Sequence, residues 1–241
     1  MKKAKIAFLV CAFLVASANA QWFNTRIKGN QKMSTETRQV GVYESIGVGG
    51  SFDVKLISGK EGKLIVKAEE NLLPYLITEV EGNTLQIKWK NGFNISHRLR
   101  VLIEVPVEHI SKLALAGSGE IFTDHLTLTE TALKISLAGS GAIKIAVKAE
   151  DLSAAISGSG TIDINGVTDK FEASLAGSGD VDAYDLVAKD ANFKISGSGG
   201  IKANVSEMLN VSIAGSGDVY YKGNPKQDIK ISGSGSVQPK A

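Results

Sequence analysis

Residues 173–183 read Ala173-Ser174-Leu175-Ala176-Gly177-Ser178-Gly179-Asp180-Val181-Asp182-Ala183. Ala173, Leu175, Gly177, Gly179, Val181 and Ala183 take every second position, the period of a β-strand with one face turned inward. Both glycines fall on the inward phase and Ser178 on the outward one. Glycine weakens a strand interior, so its place here predicts a crowded corner where only a hydrogen fits inside.

The Gly-Ser-Gly triplet occurs seven times, starting at Gly117, Gly139, Gly158, Gly177, Gly197, Gly215 and Gly233, in steps of 22, 19, 19, 20, 18 and 18 residues. A period near twenty belongs to solenoids. A flexible Gly/Ser linker is the competing explanation. It fails because a branched aliphatic precedes every triplet by two residues (Leu115, Leu137, Ile156, Leu175, Ile195, Ile213, Ile231). Another follows two residues after (Ile121, Ile143, Ile162, Val181, Ile201, Val219, Val237). The expected fold is all-β: a single-stranded parallel β-helix, or solenoid, of roughly 19-residue rungs over 111–237. Rungs about 4.8 Å apart give a rod roughly 30–35 Å long. Asn165-Gly166 and Gly223-Asn224-Pro225 mark other corners.

Upstream, residues 40–110 are β-rich without the triplet. Short alternating runs at 42–48, 51–57, 64–68, 84–89 and 100–105 are bounded by Gly, Asn and Pro, and 70–76 suits one helical turn. This region is expected to be a separate β-lobe or the first, irregular turns of the solenoid, and because a solenoid needs covered ends an N-terminal cap is the favoured reading. Residues 21–39 are polar and expected to be loosely ordered. In the tail, 238–241, Pro239 and Lys240 discourage strand addition.

The first twenty residues carry a different signal. A basic start (Lys2, Lys3, Lys5), the apolar run Ile6–Val15 and the small residues Ala18-Asn19-Ala20 form a secretory signal peptide. The run is too short for a membrane anchor, and no later segment is apolar enough to span a bilayer. Cys11, the only cysteine, sits inside the run, so no disulfide or thiolate metal site is expected after cleavage before Gln21. The leader takes three lysines and no acid with it. The 27 basic residues become 24 against 25 acidic ones, and the net charge moves from +2 to −1. That balance argues against nucleic acid as a partner. The chain is expected to be exported, to the periplasm, the outer membrane or the outside.

Stacked rungs put outward residues into columns. One column, just before the triplet, holds Ala116, Ala138, Ser157, Ala176, Ser196, Ala214 and Ser232. Another holds the triplet serines Ser118, Ser140, Ser159, Ser178, Ser198, Ser216 and Ser234. A third holds Ala114, Ser136, Ala155, Ser174, Lys194, Ser212 and Lys230, so 19 of these 21 positions are Ala or Ser and the face avoids bulk. Two readings stand. Small side chains are what a tight corner tolerates, with serines satisfying local backbone groups. Alternatively the face is a contact surface for a second copy or another partner.

For chemistry, Asp163 and Asp182 take equivalent places on neighbouring rungs and form a candidate carboxylate pair for polysaccharide hydrolysis. Asp180 and Asp218 share another column, with Gly200 between them. Residues 101–241 contain no arginine, the usual companion of lyase chemistry. His97, His109 and His125 lack metal spacing. The glycines are followed by no phosphate-binding lysine or helix start. No serine has a visible His/Asp partner, and Tyr184, Tyr220 and Tyr221 are the few tyrosines of the repeats, so no sugar-stacking groove is evident. No catalytic residue, cofactor or metal is expected.

An ordered series then carries a resemblance. Val48-Gly49-Gly50-Ser51-Phe52-Asp53-Val54-Lys55-Leu56 is followed by Glu70-Asn71-Leu72-Leu73, Leu85-Gln86-Ile87, Val101–Pro106 and Leu113-Ala114-Leu115-Ala116-Gly117-Ser118-Gly119. Over residues 40–237 the chain resembles the bacterial autotransporter-adhesin head domain family, the head GIN domain. The resemblance implies an exported β-helix-like domain that contributes to adhesion or to the cell envelope, and brings no catalytic or ligand residues. The sequence contains no recognisable translocator barrel or C-terminal sorting domain. The expected function is a non-enzymatic envelope or surface solenoid that binds a polysaccharide or surface protein, as a homo-oligomer. A structural periplasmic protein and a weak polysaccharide-active enzyme are the alternatives.

Overall fold

The computed structural model describes residues 25–240. The expected leader, Cys11 and the cleavage site before Gln21 lie outside the described residues. Nine strands precede the first triplet: β1 (Thr25–Lys28), β2 (Met33–Gln39), β3 (Ser45–Gly50), β4 (Asp53–Ser58), β5 (Lys63–Glu69), β6 (Leu76–Glu81), β7 (Thr84–Trp89), β8 (Phe93–Ser96) and β9 (Leu102–Val107). Nine more each begin or end beside a triplet. They are β10 (Lys112–Gly117), β11 (Glu120–Gly139), β12 (Ala142–Gly158), β13 (Thr161–Gly177), β14 (Asp180–Gly197), β15 (Gly200–Gly215), β16 (Asp218–Lys222), β17 (Lys226–Gly233) and β18 (Ser236–Pro239).

The repeats form the parallel solenoid that their spacing predicts. Gly117 stacks on Gly139, then Gly158, Gly177, Gly197, Gly215 and Gly233. The aliphatics before the triplet form one ladder, Leu115 through Ile231. Those after it form a second, Ile121 through Val237. Unequal step lengths are absorbed at the opposite corner, where the register shifts between Phe122 and Thr127 and between Asp163 and Gly166. Bulky and small residues alternate down the core. Phe171 pairs with Ala191 and Ala173 with Phe193, so each ring takes the room its neighbour leaves. The two rings meet edge-on at 5.4 Å between centroids.

The triplet glycines do not both face inward. The second, such as Gly179, is buried, but Gly177 is exposed. Gly177 has φ +123, and a Cβ there would lie 2.5 Å from the carbonyl oxygen of Gly158 on the rung below. The crowding that demands the first glycine therefore runs along the stack rather than into the core. The alternation of period two breaks at that corner.

The region expected to be a cap supplies two further turns in register with the repeats. β3 lies parallel on β10 and β4 on β11, while β7 lies on β3 and β9 on β4. Gly50-Ser51-Phe52 is thus an eighth corner, with Phe52 where the second glycine would stand. The Phe52 ring is fully buried and packs on Trp89 at 4.8 Å. Capping is done by antiparallel strands: β6 on β7, β5 on β9 and β2 on β5. The expected helical turn is a single 3-10 turn at Leu73–Tyr75.

Residues 25–39, expected to be loosely ordered, instead form β1 and β2. β2 pairs with β5 along its whole length, and the Arg38 guanidinium donates to the carbonyls of Leu73 and Leu76. The buried Glu69 carboxylate accepts the backbone N–H groups of Gln31, Arg98 and Leu99 at 2.7, 2.7 and 3.3 Å. It ties this arm to the loop before β9. Burial pushes the Glu69 pKa up, but the three N–H donors outweigh it and hold the pKa below the ordinary glutamate value.

Candidate functional site

The parallel register makes the small-residue columns real. Ala116 stacks on Ala138, Ser157, Ala176, Ser196, Ala214 and Ser232, all exposed. The triplet serines Ser118, Ser140, Ser159, Ser178, Ser198 and Ser216 are exposed beside them. At the corner, backbone groups are satisfied rung to rung: Ser178 N–H donates to Gly158 O at 2.9 Å, and Ser198 N–H to Gly177 O at 2.9 Å. Among the described residues, no triplet serine hydroxyl from Ser118 to Ser234 hydrogen-bonds to protein. The hydroxyls therefore do not serve the local backbone. They line a flat face with donors and acceptors to spare.

The face continues past the repeats. Gly49 extends the Ala116 column and Gly47 the Ala114 column, with Lys88 and Gln86 next. Their missing side chains leave a trough of about 410 Å³ between Gln86 and Lys88 on one side and Ala114 and Ala116 on the other. Lys194 and Lys230 break the Ala114 column towards the far end.

Asp163 and Asp182 are direct partners across β13 and β14. Burial and the Asp182 charge raise the pKa of Asp163. Asp182 is held by Lys202, whose Nζ lies 2.9 Å from its Oδ2. Both acids lie on an open sheet face, with Lys144 on the other side of Asp163. The structure also joins a pair the sequence concealed: Ser51 Oγ lies 2.9 Å from His97 Nε2, while His97 Nδ1 lies 3.0 Å from Leu99 O. A carbonyl acceptor assigns the proton to Nδ1, so the ring accepts from Ser51. Ser51 is exposed, and its partner arrives from 46 residues away. Among the described residues, no three metal-ligating side chains gather. At the corner opposite the triplets, Val167 and Val187 stack, each 47% exposed, in a groove of about 580 Å³ lined by Lys148 and Lys189 and by Glu130, Glu150 and Asp169, the last paired with Lys189.

The family model described as "Putative auto-transporter adhesin, head GIN domain" matches residues 42–225. No curated protein matches the chain. Solved structures do. A "putative adhesin" from Bacteroides fragilis superposes with a TM-score of 0.84 at 20% identity, covering 89% of this chain and 100% of that one. A "putative lipid binding protein" from Parabacteroides distasonis gives 0.70 at 28% identity, covering 90% and 100%. A "putative adhesin" from Parabacteroides merdae gives 0.71 at 22%, with the same coverage. The chain belongs to the auto-transporter adhesin head GIN domain family.

Proposed function

We propose that this member of the adhesin head family is an exported, non-enzymatic, adhesin-like solenoid that presents its small-residue face to a partner, a second copy of itself first. The observation that carries this reading is the row of exposed serine hydroxyls left free by the backbone ladder. A bare corner would need small side chains, but it would not need hydroxyls without protein partners. Seven rungs and the strand from 112 to 118 make a surface of about 35 by 20 Å, or roughly 700 Å². That is close to the roughly 800 Å² each partner contributes to a standard interface. Short side chains let two sheets approach closely, and serines replace water by cross-interface hydrogen bonds.

The mass in solution tests it. Wild-type protein is expected to be oligomeric, and Ser178→Lys or Ala176→Glu to give monomers with unchanged circular dichroism. Variants that keep the wild-type mass overturn the interface. Asp163→Asn is expected to leave any trace activity on acidic polysaccharide unaltered; a loss would favour an enzyme.

A second reading follows from the neighbour named for lipid binding. An acyl chain would lie on Val167 and Val187, with Lys148 beside its headgroup. Fluorescent fatty-acid binding that Val167→Asp abolishes would support it.

A further inference from the structure

The column that runs Thr161, Asp180, Gly200, Asp218, Ser236 loses its side chain at one rung. Over Gly200 the surface sinks into a notch of about 390 Å³, walled by Asp180, Asp218, Lys202 and Tyr220. Both acids are fixed by one oxygen. Asp180 Oδ1 accepts the Gly200 N–H at 2.9 Å, and Asp218 Oδ1 accepts the N–H and hydroxyl of Ser236 at 2.9 and 2.7 Å. Among the described residues the Oδ2 of each has no hydrogen-bond partner. Oriented carboxylate oxygens beside an aromatic wall are what the hydroxyls and the apolar face of a pyranose require.

Beyond Tyr220 the surface changes sign. The ammonium groups of Lys222, Lys202 and Lys240 stand 4.6, 5.8 and 6.0 Å from the centroid of the Tyr184 ring, and Lys240 is 5.7 Å from that of Tyr220. Lys202 is paired with Asp182, but Lys222 and Lys240 form no ion pair among the described residues. The Tyr184 hydroxyl is buried without a hydrogen-bond partner. Lys222 and Lys240 thus stand over aromatic rings with, among the described residues, no carboxylate neutralising them.

We propose that the Gly200 notch and the Tyr184–Lys222–Lys240 cluster form one binding site for an acidic polysaccharide. A sugar ring lies against Tyr220 and donates hydroxyls to Asp180 and Asp218. A carboxylate of the next unit meets Lys222 and Lys240, whose ammonium groups are held over the Tyr184 ring. Asp218 to Lys222 is about 13 Å of strand, more than one pyranose long. The site touches the small-residue face at Ser198, so Lys222→Ala with Lys240→Ala, which lies off that face, is the variant that separates its failure from a failure of self-association.

Gly200 allows a clean test. Its φ lies outside the left-handed region, and an added Cβ would meet Asp180 Oδ1 at 2.9 Å and the Asp218 carbonyl oxygen at 3.8 Å, so the Asp180 carboxylate would have to turn on its side chain to make room. Gly200→Thr, the residue type that Thr161 already supplies in this column, fills the notch and keeps the fold. The full chain is titrated calorimetrically with oligogalacturonate, with a neutral mannan oligosaccharide, and with vesicles of phosphatidylglycerol and phosphatidylcholine. Oligogalacturonate is expected to bind, and Gly200→Thr and Tyr220→Ala to weaken it at least tenfold at unchanged melting temperature and unchanged mass. Lys222→Ala with Lys240→Ala is expected to weaken it several-fold and flatten its salt dependence. Unchanged affinity in Gly200→Thr overturns the proposal. So does absence of oligogalacturonate binding, equal binding of the neutral sugar, or binding to the vesicles alone.

Discussion

Gly177→Ala tests the physical basis of the repeat. The new Cβ would lie 2.5 Å from Gly158 O and 3.2 Å from Gly158 N and C, all backbone atoms of the rung below. Ordinary contact begins near 3.4 Å, so relief requires the rungs to part by about 0.9 Å. The bond from Ser178 N–H to Gly158 O, now 2.9 Å, would stretch beyond hydrogen-bonding range. Losing it costs about 1–3 kcal/mol when the groups stay covered. Forcing an L residue to φ +123 adds about 1–3 kcal/mol. The expected loss is about 2–6 kcal/mol. Gly82→Ala separates the two terms, because Gly82 has φ +64 and nothing within 4 Å of its Cβ position. It should cost about 1–2 kcal/mol, the left-handed penalty alone. Urea unfolding by circular dichroism gives the global values, and amide exchange at Ser178 and Ser198 reports local opening. If Gly177→Ala costs no more than Gly82→Ala, close approach between rungs is not what requires the triplet glycine.

Other outcomes follow from the core and from the N-terminal arm. Phe193→Ala empties the space that Ala173 and Phe171 are shaped around and should cost about 3–5 kcal/mol in urea melts, whereas Phe193→Leu should cost clearly less. Phe52→Gly restores the triplet pattern yet strips a buried ring from Trp89, so despite its consensus look it should destabilise by about 3–5 kcal/mol, read by Trp89 fluorescence. Glu61 and Glu69 both have depressed pKa values in the folded state. Between the folded and unfolded values the unfolded chain binds more protons. Their contribution is therefore full above about pH 4.5, the ordinary glutamate value, and is lost as pH falls through the folded values. Glu69→Gln should flatten that acid limb and loosen residues 25–39 to proteolysis, while an unaltered limb would show that Glu69 is not the clamp.

The solenoid was legible because its rungs repeat the residues that make them: the aliphatics at Leu175 and Val181 cannot be a linker's, and their spacing is the circumference. The turns at 45–58 and 84–107 were harder to see. Phe52 hides the eighth triplet, and the inserted strands β5 and β6 separate turns that stack directly. β2 escaped notice because Met33–Gln39 is held by main-chain pairing and by Arg38 rather than by an apolar face. Of the surface, the Ala/Ser columns followed from the repeat once rungs were taken to stack in register. The notch did not: in the sequence Gly200 is only an interruption between Asp180 and Asp218. Only side-chain placement shows that Tyr184 reaches the lysines of later rungs.

The order of stacking differs from the order of the chain. The turn at 45–58 lies between the turn at 84–107 and the first triplet turn, so both of its edges serve as templates. One edge is sealed once β7 and β9 arrive with their antiparallel cover. Every later rung closes a loop of about the same length, so loop-closure entropy per added turn stays constant instead of growing with the chain. If assembly starts at the 45–58 turn, it has one open edge to grow from, and a polypeptide delivered N-terminus first would present its rungs in the order that edge can accept them.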